Sequence, residues 1–567
     1  MKATQIARAA QKADVFALID RGFASHADAD YAAASAAAQE ILAVEPAQVD
    51  ALYLSGLIAM AREDFVAAED WFERAILAKG DFSDPYIALL GLLQRQDRKE
   101  DFGAVYELAK ARLPAAPQTA TQLANLLVAQ DPERAVVEFD AALAAGGRIE
   151  ATAGRLRALV ALGRASEAAE GAREVWREHP EGIEQTALLG ITLVESEAFE
   201  EAEQVLTQGL AENPDSYAFL YDLALALHRK GDDTTFGLRV DQLLKRFPED
   251  AQAEFLLAFR DLARGRFEQG FGRYESRKRL PGAHLVQSAP IPAWRGEPLD
   301  GRRLLVIDEQ GYGDNLMFAR FLPRLLDAGI QVTYLCSEAL YALFAWQPAL
   351  RRARILKRLA TPQWGEGDVY VPIMSLAHLL GVSHPSQDAR FPYLSAPTDL
   401  IRPWRERIGD DGRLKVGIAW AANPRQSVGR ERSVPWEVLR PLLAMQGVRF
   451  YSLQVGPGRL ERSLPEIENL APDLYDFADT FAAVSCFDLV ITVDTSVAHV
   501  AGALGKPVWV MTPFLTDWRF AVDECGNSWW YPQARVFRQP ARGEWGAVVR
   551  TVREALLHFD LATERPH

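Results

Sequence analysis

Prolines recur at a fixed interval in the first half of this chain, and that interval restricts the fold more than any other feature of the sequence. Pro180, Pro214 and Pro248 follow one another at 34 residues, and Pro46 and Pro114 are 68 residues apart. A period of 34 residues is typical of a helix–turn–helix repeat. Such a helical pair buries its apolar face only when neighbouring pairs stack on it, so the period predicts a continuous α-solenoid.

Small and large apolar residues recur in phase with this period. After Pro46 they are Leu52, Gly56, Phe65, Ala68, Phe72 and Ala75. In a later repeat, Gly190 lies at the tight contact of the first helix, and Phe199 and Ala202 lie where the two helices pack. This pattern is typical of the tetratricopeptide repeat.

We predict about six to eight tetratricopeptide-like repeats over residues 1–280. The pattern is degenerate over residues 81–150. The alternative is an irregular helical bundle, which would not require the 34-residue spacing. Stacked repeats form a concave surface that suits a helix or an extended segment, so this part of the chain is expected to bind a protein acceptor.

The texture of the sequence changes at a segment rich in proline and glycine, residues 281–301, which we interpret as a linker. Short apolar runs then alternate with helical stretches, and the runs are RLLVID (303–308), VTYLC (332–336), DVYVP (368–372), KVGIAW (415–420), FYSLQ (450–454), LVITV (489–493) and PVWVM (507–511). This alternation predicts parallel sheets with helices on both faces. A break between Pro392 and Gly412 separates two Rossmann-like lobes, residues 302–395 and 396–567, the second closed by a C-terminal helix.

Charge and composition argue against several classes of protein. The chain carries a net charge of −15 at pH 7, and such a field repels the phosphates of nucleic acid. Its cysteines, Cys336, Cys486 and Cys525, are too few and too scattered for a disulfide framework or a zinc site. The first residues lack the apolar core of a secretory signal, and no run of 18 apolar residues occurs. We therefore expect a cytoplasmic protein with no transmembrane segment and no nucleic-acid partner.

The first motif that can carry chemistry follows the run RLLVID directly. It reads DEQGYGDNLMFARFLPRLL (308–326) and opens an amphipathic helix. Gly311 and Gly313 allow the backbone to approach a ligand, but a dinucleotide-binding loop would have a third glycine at Leu316. The motif presents Asp314 at a helix N-terminus, either as a functional carboxylate or only as a helix cap.

A second motif follows the run LVITV. Asp494, Thr495 and Ser496 precede a helix that contains His499. Free backbone N–H groups and the positive end of the helix dipole meet at this point, which favours binding of a phosphate. The alternative is a well-capped helix in which His499 is buried and hydrogen-bonded.

A third motif is the loop AWAANPRQSVGRERSVPWEVL (419–439), which holds Asn423, Arg425, Arg430 and Arg432 ahead of a helix. Arginines in such a loop either clamp phosphate or carboxylate groups or are merely solvated. The sequence has no HExxH motif, no clustered Asp-x-Asp near a strand end and no set of cysteine and histidine ligands. Nothing in it therefore requires a metal.

These three motifs, together with YSLQVGPG (451–458), YDFADTFAAVSCFDLVITVDTS (475–496) and PFLTDWRF (513–520), resemble the catalytic half of bacterial proteins that fuse tetratricopeptide repeats to a heptosyltransferase-like glycosyltransferase. The resemblance covers about residues 265–550. It implies the two-lobed GT-B fold, sugar transfer with inversion, no metal, and Asp314 as the catalytic carboxylate.

The same resemblance implies a donor site. It assigns donor binding to Gly311, Tyr312, Gly313, Trp420, Asn423, Arg425, Arg432, Gln454, Asp494, Thr495, Ser496 and His499. Among these, Arg432 occupies the position of a basic residue that contacts the donor phosphate. The nucleotide sugar is a substrate, and no cofactor is implied.

The acceptor follows from the resemblance as well. The first α/β lobe is shorter than in a stand-alone heptosyltransferase, which disfavours a lipid-linked acceptor. The chain is similar to bacterial flagellin glycosyltransferases, in which the repeats bind flagellin and a nonulosonic acid is transferred from its CMP form. This similarity implies O-glycosylation of serine or threonine during flagellum assembly. An ADP-heptose or UDP-sugar donor stays open, as do an inactive repeat scaffold and a heptosyltransferase that acts on another acceptor.

Overall fold

The structure is a computed structural model that describes residues 2–28, 30–62, 64–96, 98–280, 283, 289–359, 363–385, 391–423, 431–456 and 458–559, with side chains from residue 15 onward. The described chain forms two compact units. The first extends to Pro248, and the second joins Glu249–Leu280 to the chain from Pro290 onward.

The first unit consists of helices that follow one another in pairs. Their bounds are α1 Lys2–Ala27, α2 Tyr31–Val44, α3 Val49–Ala61, α4 Phe65–Ala78, α5 Ser83–Arg95, α6 Lys99–Arg112, α7 Pro117–Leu127, α8 Pro132–Ala144, α9 Ile149–Ala161, α10 Ala165–Glu178, α11 Ile183–Glu195, α12 Phe199–Glu212, α13 Tyr217–Lys230 and α14 Asp233–Arg246. The series confirms the predicted α-solenoid. It continues without interruption through residues 81–150, where the sequence pattern is degenerate.

Local chemistry explains where these helices begin and how closely they pack. Four helices begin behind an aspartate whose carboxylate accepts a hydrogen bond from the backbone N–H three residues on: Asp30, Asp64, Asp131 and Asp232. Glycine provides the tight contacts between helices. A Cβ atom on Gly56 would come within 2.3 Å of Phe72, and one on Gly190 within 2.3 Å of Leu206. The glycines that recur with the period are therefore required by packing.

The second unit begins with a helical pair and a short turn: α15 Ala251–Ala263, α16 Phe267–Tyr274 and the 3₁₀ turn Glu275–Arg279. The period assigns this pair to the repeat array that ends at residue 280. In the structure it shares a hydrophobic core with the α/β part of the chain. Phe271 and Tyr274 pack edge-on against Trp518, and Phe271 also packs against Trp530. The boundary of the first unit therefore lies one helical pair earlier than the period suggests.

The first sheet has four parallel strands in the order β3-β2-β1-β4. They are β1 Leu304–Ile307, β2 Val332–Cys336, β3 Arg354–Lys357 and β4 Val369–Pro372. Its helices are α17 Tyr312–Phe318, α18 Leu322–Asp327, α19 Glu338–Trp346 and α20 Leu376–Leu379. The apolar runs predict three of these strands. They miss β3 because it is an edge strand whose side chains are exposed or half-buried, so it carries no continuous apolar run.

The second sheet has six parallel strands in the order β10-β9-β8-β5-β6-β7. They are β5 Leu414–Ala419, β6 Val448–Ser452, β7 Ile467–Asn469, β8 Leu489–Val493, β9 Val508–Thr512 and β10 Ala534–Arg538. Its helices are α21 Thr398–Ile408, α22 Trp436–Leu443, α23 Phe477–Ser485, α24 Ser496–Ala503 and α25 Trp545–Leu557. Two parallel sheets with their own helices confirm the predicted pair of Rossmann-like lobes, and α25 packs beside α22 at the end of the chain.

Candidate active site

The first two sequence motifs meet where strands of the two sheets end. The loop 308–311 leaves β1 and leads into α17, and Asp494 and Thr495 leave β8 and lead into α24. The two helices α17 and α24 are in contact. A Cβ atom on Gly313 would lie 2.5 Å from the His499 ring, so this contact needs a glycine at that position. The carboxyl ends of parallel strands are the usual place for a ligand in such folds.

Asp314 lies at this junction with both carboxylate oxygens engaged. Its Oδ2 accepts a hydrogen bond of 3.0 Å from the backbone N–H of Gly311. Its Oδ1 accepts from Nε and Nη2 of Arg519, at 2.7 and 2.6 Å. The cap interpretation is thus correct in part, because Asp314 does hold the first turn of α17. The Arg519 contact is additional and connects the two lobes.

Arg519 is a site residue that the sequence motifs did not identify. Its side chain is 12% exposed and lies between Asp314 and Asp517, whose Oδ1 and Oδ2 atoms are 2.9 and 3.1 Å from Nη1. Burial acts to lower the pKa of Arg519, but the two carboxylates outweigh it and keep that pKa above the usual value. A signal was present, since the run PFLTDWRF (513–520), which carries part of the resemblance, contains this arginine.

Asp494 is a further charged residue of this site. Its carboxylate is 8% exposed and lies 3.3 Å from Nη1 of Arg432, which also donates to the backbone oxygen of Asp494. Burial raises the pKa of Asp494 to about 6, the charge of Asp517 adds to this effect, and Arg432 and Arg519 offset part of it. The structure thus brings the predicted residues Asp314, Asp494 and Arg432 into one buried electrostatic network through Arg519 and Asp517.

His499 is buried, with 3% of its surface exposed. Its Nδ1 is 2.8 Å from the hydroxyl of Tyr531, and its ring packs near Phe520 and against Gly313. Burial lowers the pKa of His499 to about 3, and the charges of Arg519 and Arg320 add to the shift, so the ring is neutral at pH 7. This geometry matches the second of the two interpretations, a buried and hydrogen-bonded histidine.

The third motif is placed only in part. Trp420 and Gln454 are buried, at 3% and 4% exposure. The Gln454 amide accepts hydrogen bonds from the backbone N–H groups of Trp420 and Ala421 and donates to the oxygen of Ala421. These two predicted donor-binding residues therefore brace the end of β5. Asn423 is exposed, and Arg425 lies outside the described residues.

The remaining predicted residues line the surface of the junction. Thr495 and Ser496 are half-buried at the start of α24, and the Thr495 hydroxyl lies 3.1 Å from that of Thr492. Tyr312 is 48% exposed, and its ring centre is 5.1 Å from that of Phe477 in the other lobe. An aromatic ring and the start of a helix are thus accessible beside the buried charges.

A separate cavity of about 400 Å³ lies elsewhere on the first lobe. It is lined by residues 294, 296–302 and 328–331, at the edge where β1 and β2 begin. Ligands of parallel α/β folds gather at the opposite edge, so we place the candidate site at the junction of α17 and α24. In the part of the chain that the structure describes, no helix is both long and apolar enough to cross a membrane.

Comparison with known proteins matches both halves of the chain. A family model of the tetratricopeptide repeat matches residues 27–84 and 188–236. Protein FlbA of Caulobacter vibrioides is 26% identical over 502 residues, which cover 82% of this chain and 83% of FlbA.

Solved structures resemble each half separately. The Escherichia coli ADP-heptose lps heptosyltransferase II is 15% identical and aligns with 47% of this chain and 100% of its own, with a TM-score of 0.34. A tetratricopeptide repeat protein from Parabacteroides merdae is 12% identical and aligns with 48% of this chain and 96% of its own, with a TM-score of 0.33. By the repeat family model and its own two sheets, the chain joins tetratricopeptide repeats to a two-lobed α/β unit, the arrangement that its resemblance to repeat-fused, heptosyltransferase-like proteins implies.

Proposed function

We propose that this chain is an inverting, metal-independent glycosyltransferase that moves a sugar from a nucleotide donor to a serine or threonine hydroxyl of a protein. One observation carries the proposal. The carboxylate of Asp314 and the helix start at Thr495 and Ser496, with Arg432 beside Asp494, lie together at the carboxyl ends of β1 and β8. A base and an anion site on facing lobes are what transfer from a sugar nucleotide requires.

In this reaction the acceptor hydroxyl is a weak nucleophile and needs a proton acceptor. Its oxygen forms the new bond to the anomeric carbon while the bond from that carbon to the donor phosphate breaks. The hydroxyl proton passes to Asp314. A well-placed general base contributes roughly 10²- to 10⁴-fold in rate. Attack on the face opposite the leaving group gives the inverted product.

The leaving nucleotide carries away the electron pair of the broken bond. Its phosphate gains negative charge, which the first-turn N–H groups of α24 and the guanidinium of Arg432 stabilise. Both groups belong to the second lobe, whereas Asp314 belongs to the first. The donor therefore binds mainly to one lobe, and the base reaches it from the other.

Arg519 has a positioning role in this scheme. It holds Oδ1 of Asp314 through two donors, and Gly311 holds Oδ2. Oδ1 already accepts two donors, whereas Oδ2 accepts one and has a second lone pair. Oδ2 therefore accepts the hydrogen bond from the substrate hydroxyl, and then its proton, while these contacts keep the carboxylate oriented. Asp517 takes the other side of the guanidinium and keeps it in place.

The donor and the acceptor are the finer part of the proposal. The similarity to flagellin glycosyltransferases favours a CMP-linked nonulosonic acid as donor and flagellin as acceptor, in the cytoplasm during flagellum assembly. ADP-heptose and UDP-sugars are the other donors to test. The solenoid of the first unit supplies a surface of the kind that binds helices and extended segments, and flagellin offers long helices.

Purified protein tests the proposal directly. It is incubated with flagellin and a panel of radiolabelled CMP-, ADP- and UDP-linked sugars, and both label on flagellin and slow donor hydrolysis are measured. Asp314→Asn is the matched inactive control. Mass spectrometry of flagellin from cells with and without this protein identifies the sugar and its sites. An unmodified flagellin mass in cells that contain the protein would exclude flagellin as the acceptor.

One observation favours a second candidate, a catalytically inactive repeat scaffold. Both carboxylate oxygens of Asp314 already have partners in this structure, as they would in a purely structural ion pair. A scaffold neither transfers the sugar nor hydrolyses any donor. Hydrolysis that disappears in Asp314→Asn rejects the scaffold. A heptosyltransferase that acts on another acceptor would hydrolyse ADP-heptose but leave flagellin unlabelled.

A further inference from the structure

We infer that the last helical pair, α15 and α16 with the turn Glu275–Arg279, is a working part of the candidate site. Its Tyr274 and Arg277 are positioning residues for the loop 309–311, and through that loop for Asp314. The role of Asp314 as a base rests on the proposed function. The contacts of Tyr274 and Arg277 with the loop are independent of that proposal.

Arg277 binds the side chain of Glu309, the first residue of this loop. Its side chain is only 5% exposed, and its Nε and Nη2 atoms donate to the two carboxylate oxygens of Glu309 at 3.0 and 2.6 Å. Nη2 also donates to the hydroxyl of Ser375 at 2.8 Å. Burial acts to lower the pKa of Arg277, but Glu309 and Glu275 outweigh it and raise that pKa.

Glu309 is in turn fixed from the opposite side. Its Oε1 accepts a hydrogen bond of 3.0 Å from the backbone N–H of Met374, two residues after the end of β4. Its backbone oxygen accepts another from the side chain of Asn315 in α17. The carboxylate of Glu309 is therefore held between the helical pair and the first lobe. A bidentate arginine contact of this kind restricts direction as well as distance.

Tyr274 fastens the second residue of the loop. It is 1% exposed, and its hydroxyl lies 3.1 Å from Oε1 and 3.0 Å from Nε2 of Gln310. Gln310 has a φ of 59°, which lies in the left-handed backbone region that residues other than glycine rarely adopt. Such a conformation persists only where its surroundings hold it, and Tyr274 is part of those surroundings.

Gln310 links this contact to the base. Its Oε1 also accepts from Nη2 of Arg519 at 3.4 Å, and the same Nη2 atom lies 2.6 Å from Oδ1 of Asp314. The path from the helical pair to the carboxylate thus runs from Tyr274 to Gln310, then to Arg519, then to Asp314. The next residue, Gly311, donates its N–H to the other oxygen of Asp314.

Packing alone does not require these polar contacts. The aromatic rings of Phe267 and Phe271 already bury α16 against Trp518 and Trp530. The polar groups of Tyr274 and Arg277 instead contact two consecutive residues of one loop, Gln310 and Glu309. Paired contacts of the buried Tyr274 hydroxyl and Arg277 guanidinium favour a single geometry, and here that geometry belongs to the loop before Asp314.

Tyr274→Phe tests this inference, because it removes one hydroxyl and leaves the aromatic ring. Hydrogen exchange over residues 308–316 is measured in the full-length protein together with its melting temperature. The Gly311 N–H lies within the measured segment. We expect its exchange to rise by about tenfold or more at a nearly unchanged melting temperature. Tyr451→Phe is the matched control, since it loses a hydroxyl that donates to the Ile408 oxygen at 2.8 Å and should leave this segment unchanged.

Turnover provides the second readout. Using the nucleotide sugar that the full-length protein hydrolyses or transfers, we expect Tyr274→Phe and Arg277→Lys to lower kcat by about ten- to a hundredfold with little change in KM. Arg277→Lys keeps the charge but loses the bidentate contact with Glu309.

Each outcome decides the inference. Unchanged exchange at 308–316 in Tyr274→Phe overturns it, and so does raised exchange with normal turnover. If no sugar nucleotide is turned over even by the unaltered protein, the proposed function fails, and the exchange measurement alone still decides whether the helical pair holds the loop.

Discussion

Two ion pairs, one from each unit of this protein, differ in how deeply they are buried and in how far apart their partners lie in the chain. In the solenoid, Arg173 lies 2.6 Å from Glu201, 28 residues further along, and both side chains are partly exposed, at 28% and 40%. In the second unit, Arg519 pairs with Asp314 across 205 residues, at 12% and 13% exposure. The first pair follows from the repeat period, whereas the second exists only because two lobes meet.

The difference has energetic consequences. Exposed pairs contribute about 0–1 kcal/mol each, because water screens the charges and holding two long side chains costs entropy. Removing one partner of a buried pair leaves an uncompensated charge and costs about 3–5 kcal/mol. The solenoid therefore tolerates the loss of individual pairs, while the candidate site does not. The predictions that follow test this contrast from the largest expected effect to the smallest.

The largest effect is expected from removing the last helical pair. A variant that begins at Glu249 should unfold in one cooperative transition, because it keeps all of the second unit. A variant that begins at Pro290 loses the rings that cover Trp518 and Trp530 and should be insoluble or melt without cooperativity. Calorimetry on both variants makes the comparison. A cut at residue 265 should also fail, since it removes Asp261, the buried partner of Arg266 and Arg273.

Asp314→Asn should lower turnover by about two orders of magnitude or more, since the amide is nearly isosteric but cannot take a proton. It should also lower the melting temperature, because Arg519 loses one of its two charged partners. Nucleotide affinity, measured by calorimetry with CMP, ADP and UDP, should change little. Turnover close to that of the unaltered protein would remove Asp314 from the mechanism.

His499→Ala should act on stability first. The substitution leaves a cavity beside Gly313 and removes the 2.8 Å partner of the Tyr531 hydroxyl, which keeps its 3.5 Å contact with the hydroxyl of Tyr393; we expect a cost of about 2–4 kcal/mol. Thermal melting and nucleotide affinity are measured on the same samples. A lower melting temperature with unchanged affinity of the folded fraction confirms the structural role. Weaker nucleotide binding at an unchanged melting temperature would place the histidine in the donor site.

Asp494 should make the stability of the second unit depend on pH. Its pKa is about 6 in the folded protein and about 3.9 in an unfolded chain. The folded state therefore binds more protons between these values, and the free energy of unfolding falls as the pH rises from about 4 to about 6. The loss is at most about 3 kcal/mol for a shift of this size. Asp494→Asn should flatten the plot of melting temperature against pH between about 4 and about 6. An unaltered slope in this variant would contradict the raised pKa of Asp494.

Glu201→Gln in the solenoid should have the smallest effect. It breaks the pair with Arg173, but both side chains are near water, so we expect a change in unfolding free energy below about 1 kcal/mol. The same pair should weaken further in high salt. A loss as large as that in Asp314→Asn would mean that the two units do not differ in the way described.

Sequence patterns were sufficient where the structure depends on near neighbours. The 34-residue period predicts the solenoid because each helical pair contacts the pairs beside it, and Gly190 and Phe199 have the packing roles that the period assigns. Apolar runs predict the central strands, and the Gly-Asp motif places Asp314 at the start of α17. The edge strands β3, β7 and β10 were missed because strands at an edge need no continuous apolar run.

Only the tertiary structure decided the rest. The pairing of Arg519 with Asp314, the burial of His499 against Gly313 and the membership of α15 and α16 in the second unit all join residues far apart in the chain. No local sequence pattern specifies these contacts, because a helical pair has the same apolar pattern whether it packs on another repeat or on a sheet. The position of the helical pair is decided by the buried surface and the opposite charges that the folded chain places against it. In this protein those partners are Trp518 and Trp530 for the rings of α16, and Glu309 for Arg277.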